Sequence, residues 1–411
     1  MLDFEQFIET AVANEDIPGC VLLASSRDGS FTYTKTFGKR SMHPDRNQLP
    51  LRLDSVMWIA SCTKLMTSIC ALQLVERGHL TLDEPVCTHI PELKDRAVIT
   101  GFQDDGTPIE EPHKTPITLR LLLTHCSGIA YDVMHPNLIQ WNAYHKRTTS
   151  PSGKILERYD HPLGFEPGTS WMYGPGIDFA GLLIERVTKL SLEDYMRANI
   201  WEPLGIKDMT FHLSQRPDLA QRMADMSKRA SDGGKAVFTD ERQSYHNEKM
   251  EESEDCFGGH GIMTSPEEYF KVLRAVLTTE EDERILKRGT VKMMFEPQMG
   301  EGGKAMLGIV CKSGEIVNNA MGGVPMELER DYGLGSMLLC GDEPGARTKG
   351  TLIWGGLPNL YWFVDPTTGL AGLYAGQVVP YGDAKSAAVC RKFEAGVYEL
   401  YEKSKRTNSN L

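Results

Sequence analysis

Apolar positions along the chain change their period several times. Leu2 to Ala13 places Phe4, Phe7, Ile8 and Val12 at helical spacing, and Pro18-Gly19 stops that helix. Val21–Ala24 and Phe31–Phe37 are short β-rich runs split by Asp28-Gly29, a hairpin signature. From Ser61 to Arg77 the pattern predicts one long helix, apolar nearly all round and closed by Gly78. Thr118–Thr124 predicts a helix with Thr118 as N-cap, ending near Gly128. Ile177–Thr188 is helical, as is the segment after Ser191, where Ser191 and Asp194 have capping-box spacing.

Two stretches lack such order. Residues from about Met226 to Asp255 are polar and read as a long excursion, and residues 298–331 are glycine-rich and read as a second one. Between them, Gly258–Gly261 is a turn and Ser265-Pro266 opens a helix to about Leu277. Leu334–Leu339, Thr351–Trp354 with Leu360–Val364, and Leu370–Ala375 are β-rich, with Asp365–Gly369 as a hairpin turn. A helix over about Ala384–Lys403 follows, and the polar residues from Ser404 read as a frayed end. Strands at both ends with helices between predict an α+β fold. A discontinuous sheet domain (1–57 and 257–411) would carry a mostly helical inserted domain (58–256), with the excursion at 226–255.

The composition narrows the function. With 44 basic and 56 acidic residues the formal charge is −12, which disfavours a nucleic-acid partner. No apolar run approaches the roughly 18 residues of a membrane span, and Met1–Gly19 has no signal-peptide core. Nine cysteines without a C-x-x-C pair fit reduced thiols in a cytoplasmic protein. No H-E-x-x-H, Walker A or G-x-G-x-x-G sequence occurs, so the chemistry calls for neither metal nor nucleotide cofactor.

Three features carry candidate chemistry. Ser61-Cys62-Thr63-Lys64 puts a hydroxyl and an amine on one helix face, where an apolar helix supplies the desolvation that an activated serine–lysine pair needs. Taken alone, the four residues read more readily as an N-cap serine and a solvated lysine; the buried helix behind them shifts that balance. Cys62 reads as a small buried side chain. Tyr173, after the turn Glu166-Pro167-Gly168, is either a packing residue or a phenol that moves protons. Trp354-Gly355-Gly356-Leu357 ends a strand, and reads equally as a bend or as an edge offering an N–H to an oxyanion. His125-Cys126-Ser127-Gly128 has no G-x-S-x-G elbow to work with, so His125 reads as structural, and His260 as a turn residue.

Together and in this order, the motifs resemble the serine β-lactamase and penicillin-binding-protein superfamily. Leu121–Gly128 and Glu166–Tyr173 look like its class C branch, and Trp354-Gly355-Gly356 resembles the esterase subgroup of that branch. Ala60–Leu65, Phe211–Asp218, Cys256–Gly259 and Gly355–Asn359 resemble fungal statin-type acyltransferases, the simvastatin-synthase-like transesterases, over about Ile17 to Tyr398. The resemblance implies a β-lactamase-like antiparallel sheet flanked by helices. It implies Ser61 as the acylated nucleophile, Lys64 and Tyr173 as the proton-handling pair, and the N–H groups of Ser61 and Leu357 as oxyanion hole. Trp354, Gly355, Gly356 and Tyr131 would line the substrate site. The reaction implied moves an acyl group from a thioester or ester donor, such as acyl-CoA or an acyl-carrier protein, to a small-molecule hydroxyl. A carboxylesterase with the same centre and a non-catalytic binding protein of the same fold are the alternatives. Two departures weigh against β-lactam or peptidoglycan work: Tyr173 is followed by Gly174-Pro175 without the Tyr-x-Asn asparagine, and Trp354 stands where Lys-Thr-Gly has its lysine.

Overall fold

The computed structural model describes residues 2–46 and 49–408. Its centre is a seven-stranded antiparallel sheet drawn from both ends of the chain. The strands are β1 (Gly19–Ser26), β2 (Thr32–Gly38), β3 (Arg330–Tyr332), β4 (Met337–Leu339), β5 (Leu352–Gly356), β6 (Leu360–Asp365) and β7 (Leu370–Ala375). Their spatial order is β3-β4-β5-β6-β7-β1-β2, so the N-terminal hairpin docks on the last strand, with Val21 opposite Ala375. Every residue of β1, β6 and β7 is buried, so both faces of the sheet centre are covered. That explains why these strands read as continuous apolar runs.

Helix α1 (Asp3–Ala13) and the C-terminal helix, Ala384–Asn408, pack together on the sheet. Phe4 meets Tyr33, Tyr33 meets Phe393, and Tyr398 stacks on Phe363 with ring centroids 5.3 Å apart. The helix Pro266–Leu277 lies against β6, β7 and β1. Ser265 caps it by accepting a hydrogen bond from the Glu268 N–H. Between the two parts of the sheet, the chain builds the helical side of the molecule around α2 (Thr63–Glu76) and α3 (Gly176–Thr188), which pack on each other. No helix of the described residues is long and apolar enough to cross a membrane.

Several expectations need correction. The stretch from Met226 to Asp255 is not a plain excursion: Ser227–Arg229 and Ala236–Phe238 pair with each other, and the first pairs with Val378–Val379. Arg229 is tied to Asp383 by two hydrogen bonds of 2.7 and 2.8 Å, which side-chain charges supply and apolar periodicity cannot reveal. Residues 298–331 hold two helices, Glu301–Cys311 and Glu315–Ala320, and end in β3. Two of the glycines lie inside the first helix: Gly302 approaches the Thr169 carbonyl and Gly303 the Cys126 thiol, where a side chain would crowd its neighbour. Within 58–256 a hairpin, Ala97–Phe102 with Pro108–Pro112, joins the helices. The strand expected from Leu334 begins at Met337, and the C-terminal helix continues past Lys403 to Asn408, so residues from Ser404 are helical up to that point.

Candidate active site

The segment entering Ser61 is pinned on several sides. Met57 and Trp58 pair with Thr264 and Met263, and the Ile59 N–H donates to the Ile262 carbonyl. The Trp58 indole donates to the His260 carbonyl at 2.6 Å, while its own carbonyl accepts from Gln377. Ala60 then adopts φ +44°, a conformation that side chains with a Cβ rarely take. A single 3-10 turn, Ala60–Cys62, leads into α2. Ser61 is partly exposed on that turn, whereas every residue from Thr63 to Leu74 is buried. Cys62 is buried with them, and burial pushes its thiol far above the usual range. Ser61 makes no side-chain cap to the helix.

Lys64 is fully buried, and its Nζ donates to the Gly259 carbonyl at 2.7 Å and reaches Ser61 Oγ at 3.4 Å. The same nitrogen lies 4.8 Å from the centre of the Tyr173 ring. Tyr173 Oη stands 2.6 Å from Ser61 Oγ. Hydroxyl, amine and phenol, 112 residues apart at the extreme, thus meet at one point.

Tyr173 is held by backbone. The Met172 N–H donates to the His125 carbonyl, and the Tyr131 N–H to the Tyr173 carbonyl. Glu166 accepts from the N–H groups of Lys114 and Thr115, which fixes the preceding turn. Gly174 passes so close to Ile129 that a Cβ would stand 2.2 Å from its carbonyl oxygen. Pro175 and Gly176 follow at the start of α3, so no asparagine side chain stands two residues after Tyr173.

Aromatic rings surround the phenol. Tyr131 lies 5.4 Å away, Trp354 5.2 Å and His125 4.9 Å between centroids. Tyr332, buried against both His125 and Trp354, completes the wall. Burial, and then the charge of Lys64, hold the His125 imidazole well below the usual histidine range, so it is a neutral packing group behind Tyr173. His260 sits in its turn with the ring buried against Phe257. Trp141 belongs to a separate cluster with Ile99, Ala130 and Leu138; Tyr144 is exposed; Trp362 is Trp354's cross-strand neighbour on β6.

The glycine strand approaches from the sheet side. β4 pairs only with Leu352 and Ile353 of β5, so Trp354, Gly355 and Gly356 are paired on the β6 side alone. Gly356 lies against the carbonyl of Ile59 and the thiol of Cys62. Leu357 follows in the turn and packs with the cluster of Val56, Trp58 and Ala60. This brings the open end of β5 to the turn that carries Ser61.

Beneath Lys64 lies a group that sequence reasoning missed. Asp178 of α3 is fully buried and accepts the Gly259 N–H at 2.8 Å through Oδ1, while Oδ2 has no hydrogen bond. Burial pushes its carboxyl up to about 6, against the opposing pull of Lys64 and Arg158. The available signal was a lone acid on an otherwise apolar first turn.

Comparison with known proteins adds to this geometry. The model of the β-lactamase family matches residues 4–389. The ML-236A carboxylate methylbutanoyltransferase of Penicillium citrinum is 39% identical over 96% of this chain and 94% of its own. A lovastatin esterase of Penicillium rubens is 36% identical over 96% and 97%. A variant of simvastatin synthase from Aspergillus terreus superposes with a TM-score of 0.89 at 38% identity, covering 97% of this chain and 95% of its own.

Proposed function

Since the chain belongs to the β-lactamase family, as an acyl-transfer enzyme akin to the fungal acyltransferases, we propose that it moves an acyl group through an ester on Ser61. The donor is a thioester or ester, and the acceptor is the hydroxyl of a small natural-product-type molecule. The observation that carries this reading is the position of Ser61 Oγ, 2.6 Å from Tyr173 Oη and 3.4 Å from Lys64 Nζ.

In the first half-reaction Ser61 Oγ attacks the donor carbonyl and its proton passes to the Tyr173–Lys64 pair. The N–H groups of Ser61 and Leu357 hold the oxyanion, at the junction of the Ala60–Cys62 turn with the open end of β5. Collapse expels the thiol or alcohol, which takes the proton back, and leaves acyl-Ser61. In the second half the acceptor hydroxyl gives its proton to Tyr173 and attacks the same carbonyl; collapse releases the new ester, and Ser61 Oγ takes the proton from Tyr173. Trp354, Gly355, Gly356 and Tyr131 border the space for substrate. No lysine stands at Trp354 to meet a substrate carboxylate, so β-lactams are poor substrates in this reading.

Mass spectrometry of the intact protein after exposure to a panel of acyl thioesters tests this. A mass increase of one acyl group on Ser61, discharged by an added alcohol as ester, is the expected result. Normal turnover by Ser61→Ala overturns it. Water competes with the alcohol for the same intermediate, and the esterase relative favours hydrolysis as the second reading. Free acid as the sole product with every alcohol tried would select it.

A further inference from the structure

We propose that Asp178 is a positioning residue for acyl transfer: it holds the glycine turn whose carbonyl takes Lys64's Nζ, and it supplies the buried negative charge that Lys64 faces. The proposal rests on the reading of Ser61, Lys64 and Tyr173 given above.

Three contacts make a chain. Asp178 Oδ1 accepts the N–H of Gly259 at 2.8 Å, and the carbonyl of the same Gly259 accepts from Lys64 Nζ at 2.7 Å, which in turn reaches Ser61 Oγ. Gly259 has no room for another side chain, because a Cβ there would lie 2.4 Å from Asp178 Oδ2. Thr67, one turn along α2 from Lys64, donates to the Gly258 carbonyl at 2.7 Å, so the turn is gripped from α2 and α3 together. The amine therefore cannot shift without moving the carboxylate's partner.

The charge, and not only the hydrogen bond, is needed to explain an aspartate here. An asparagine would satisfy the Gly259 N–H equally well and would escape the penalty of burying an ion. The ionisable groups around Asp178 and Lys64 are Arg158 from the short helix Ile155–Arg158, the phenols of Tyr131, Tyr159 and Tyr173, and, toward Lys64 and Arg158, the imidazole of His260. Burial raises the phenols of Tyr131 and Tyr159 and lowers the His260 imidazole, so these carry no charge at neutral pH. The Arg158 guanidinium spends its donors on the carbonyls of Pro151, Ser152, Ser244 and His246. Arg158 thus acts on Asp178 through its charge alone, and more weakly than Lys64 does. Burial acts first on this carboxyl and raises it to about 6, so it is ionised at neutral pH and loses its charge on mild acidification.

The test is the pH profile of acylation by a p-nitrophenyl acyl ester, with labelled Ser61 verified by mass spectrometry, in wild type, Asp178→Asn and Gly259→Ala. Wild type is expected to lose rate on the acid side with a midpoint near 6. Folded Asp178→Asn still acylates Ser61, with unchanged KM, a kcat lower by about tenfold or more and no acid limb. Gly259→Ala, whose methyl displaces the carboxylate, lowers kcat and moves the limb, and it gives the answer if Asp178→Asn does not fold. A wild-type rate and limb in either folded variant overturns the role of Asp178. A wild-type protein that never acylates Ser61 instead overturns the acyl-enzyme reading itself.

Discussion

Gly356 and Ile59 touch: a methyl added to Gly356 would stand 2.3 Å from the Ile59 carbonyl oxygen, two residues before Ser61. Sheet and helical side are thereby set against each other beside the turn that carries Ser61. Gly356→Ala is expected to push β5 away from Ser61. On the proposed mechanism a shift of that kind misplaces the N–H groups of Ser61 and Leu357 and should lower kcat/KM about a hundredfold, with about 1–3 kcal/mol lost from stability. Ester turnover and urea denaturation of the variant check both numbers.

The phenol of Tyr173 bonds to a partly exposed hydroxyl, so its removal frees no buried partner. Tyr173→Phe is expected to slow acylation by roughly 10²–10⁴-fold while shifting Tm by no more than about 2 °C. A thermal melt beside a stopped-flow acylation trace measures both. Equal loss of stability and rate would make the ring, and not its oxygen, the important part.

Asp178 also predicts a trade of stability for activity. Its folded carboxyl, raised by burial from 3.8 to about 6, holds a proton that the unfolded chain releases. The stability it contributes is therefore full below 3.8 and is lost as the pH rises through about 6. The shift corresponds to about 3 kcal/mol. Asp178→Asn should be the more stable protein at about pH 8, by up to that amount, and should match wild type at about pH 4. Denaturant unfolding at the two pH values reads the difference.

Asp383 begins the C-terminal helix, accepting from the Ser386 N–H, and grips Arg229 with both oxygens. Burial opposes its ionisation, but Arg229 and Ser386 outweigh this and bring the carboxyl below its ordinary range. Asp383→Asn keeps an acceptor for the cap and loses the charge opposite a poorly exposed guanidinium, which should cost about 3 kcal/mol. Limited proteolysis is expected to cut first near the exposed 231–233 turn, once the strand carrying Arg229 loosens. In wild type the stabilisation is present above the ordinary carboxylate range and disappears as the pH falls through the lowered folded value.

The residues that meet at Ser61 were legible as candidates because they lie on strongly patterned elements. An apolar helix made Lys64 conspicuous, and paired glycines after β-rich residues exposed the end of β5. Strands β6 and β7 and the helix capped by Ser265 appear close to where their patterns put them. Asp178 escaped notice because its partner is the backbone of Gly259, 81 residues away, and a backbone N–H has no signature in sequence. The strand Ser227–Arg229 escaped because a three-residue element anchored by one ion pair has no period to detect. The helix Glu301–Cys311 was hidden by glycines, of which Gly302 and Gly303 answer to a neighbour's proximity and not to a turn.

The pairing of β1 with β7 has a consequence for biosynthesis. These neighbours at the heart of the sheet are separated by about 350 residues, so β1 leaves the ribosome long before its partner exists. Until then an eight-residue strand with no exposed side in the finished protein has only β2 on one edge and water or chaperones on the other. Closing so long a loop is slow, and the waiting strand is a template for aggregation. Production at low temperature with abundant holdase chaperones should raise the soluble yield, whereas a circular permutant that joins the two ends and opens the chain elsewhere should fold faster than the natural order.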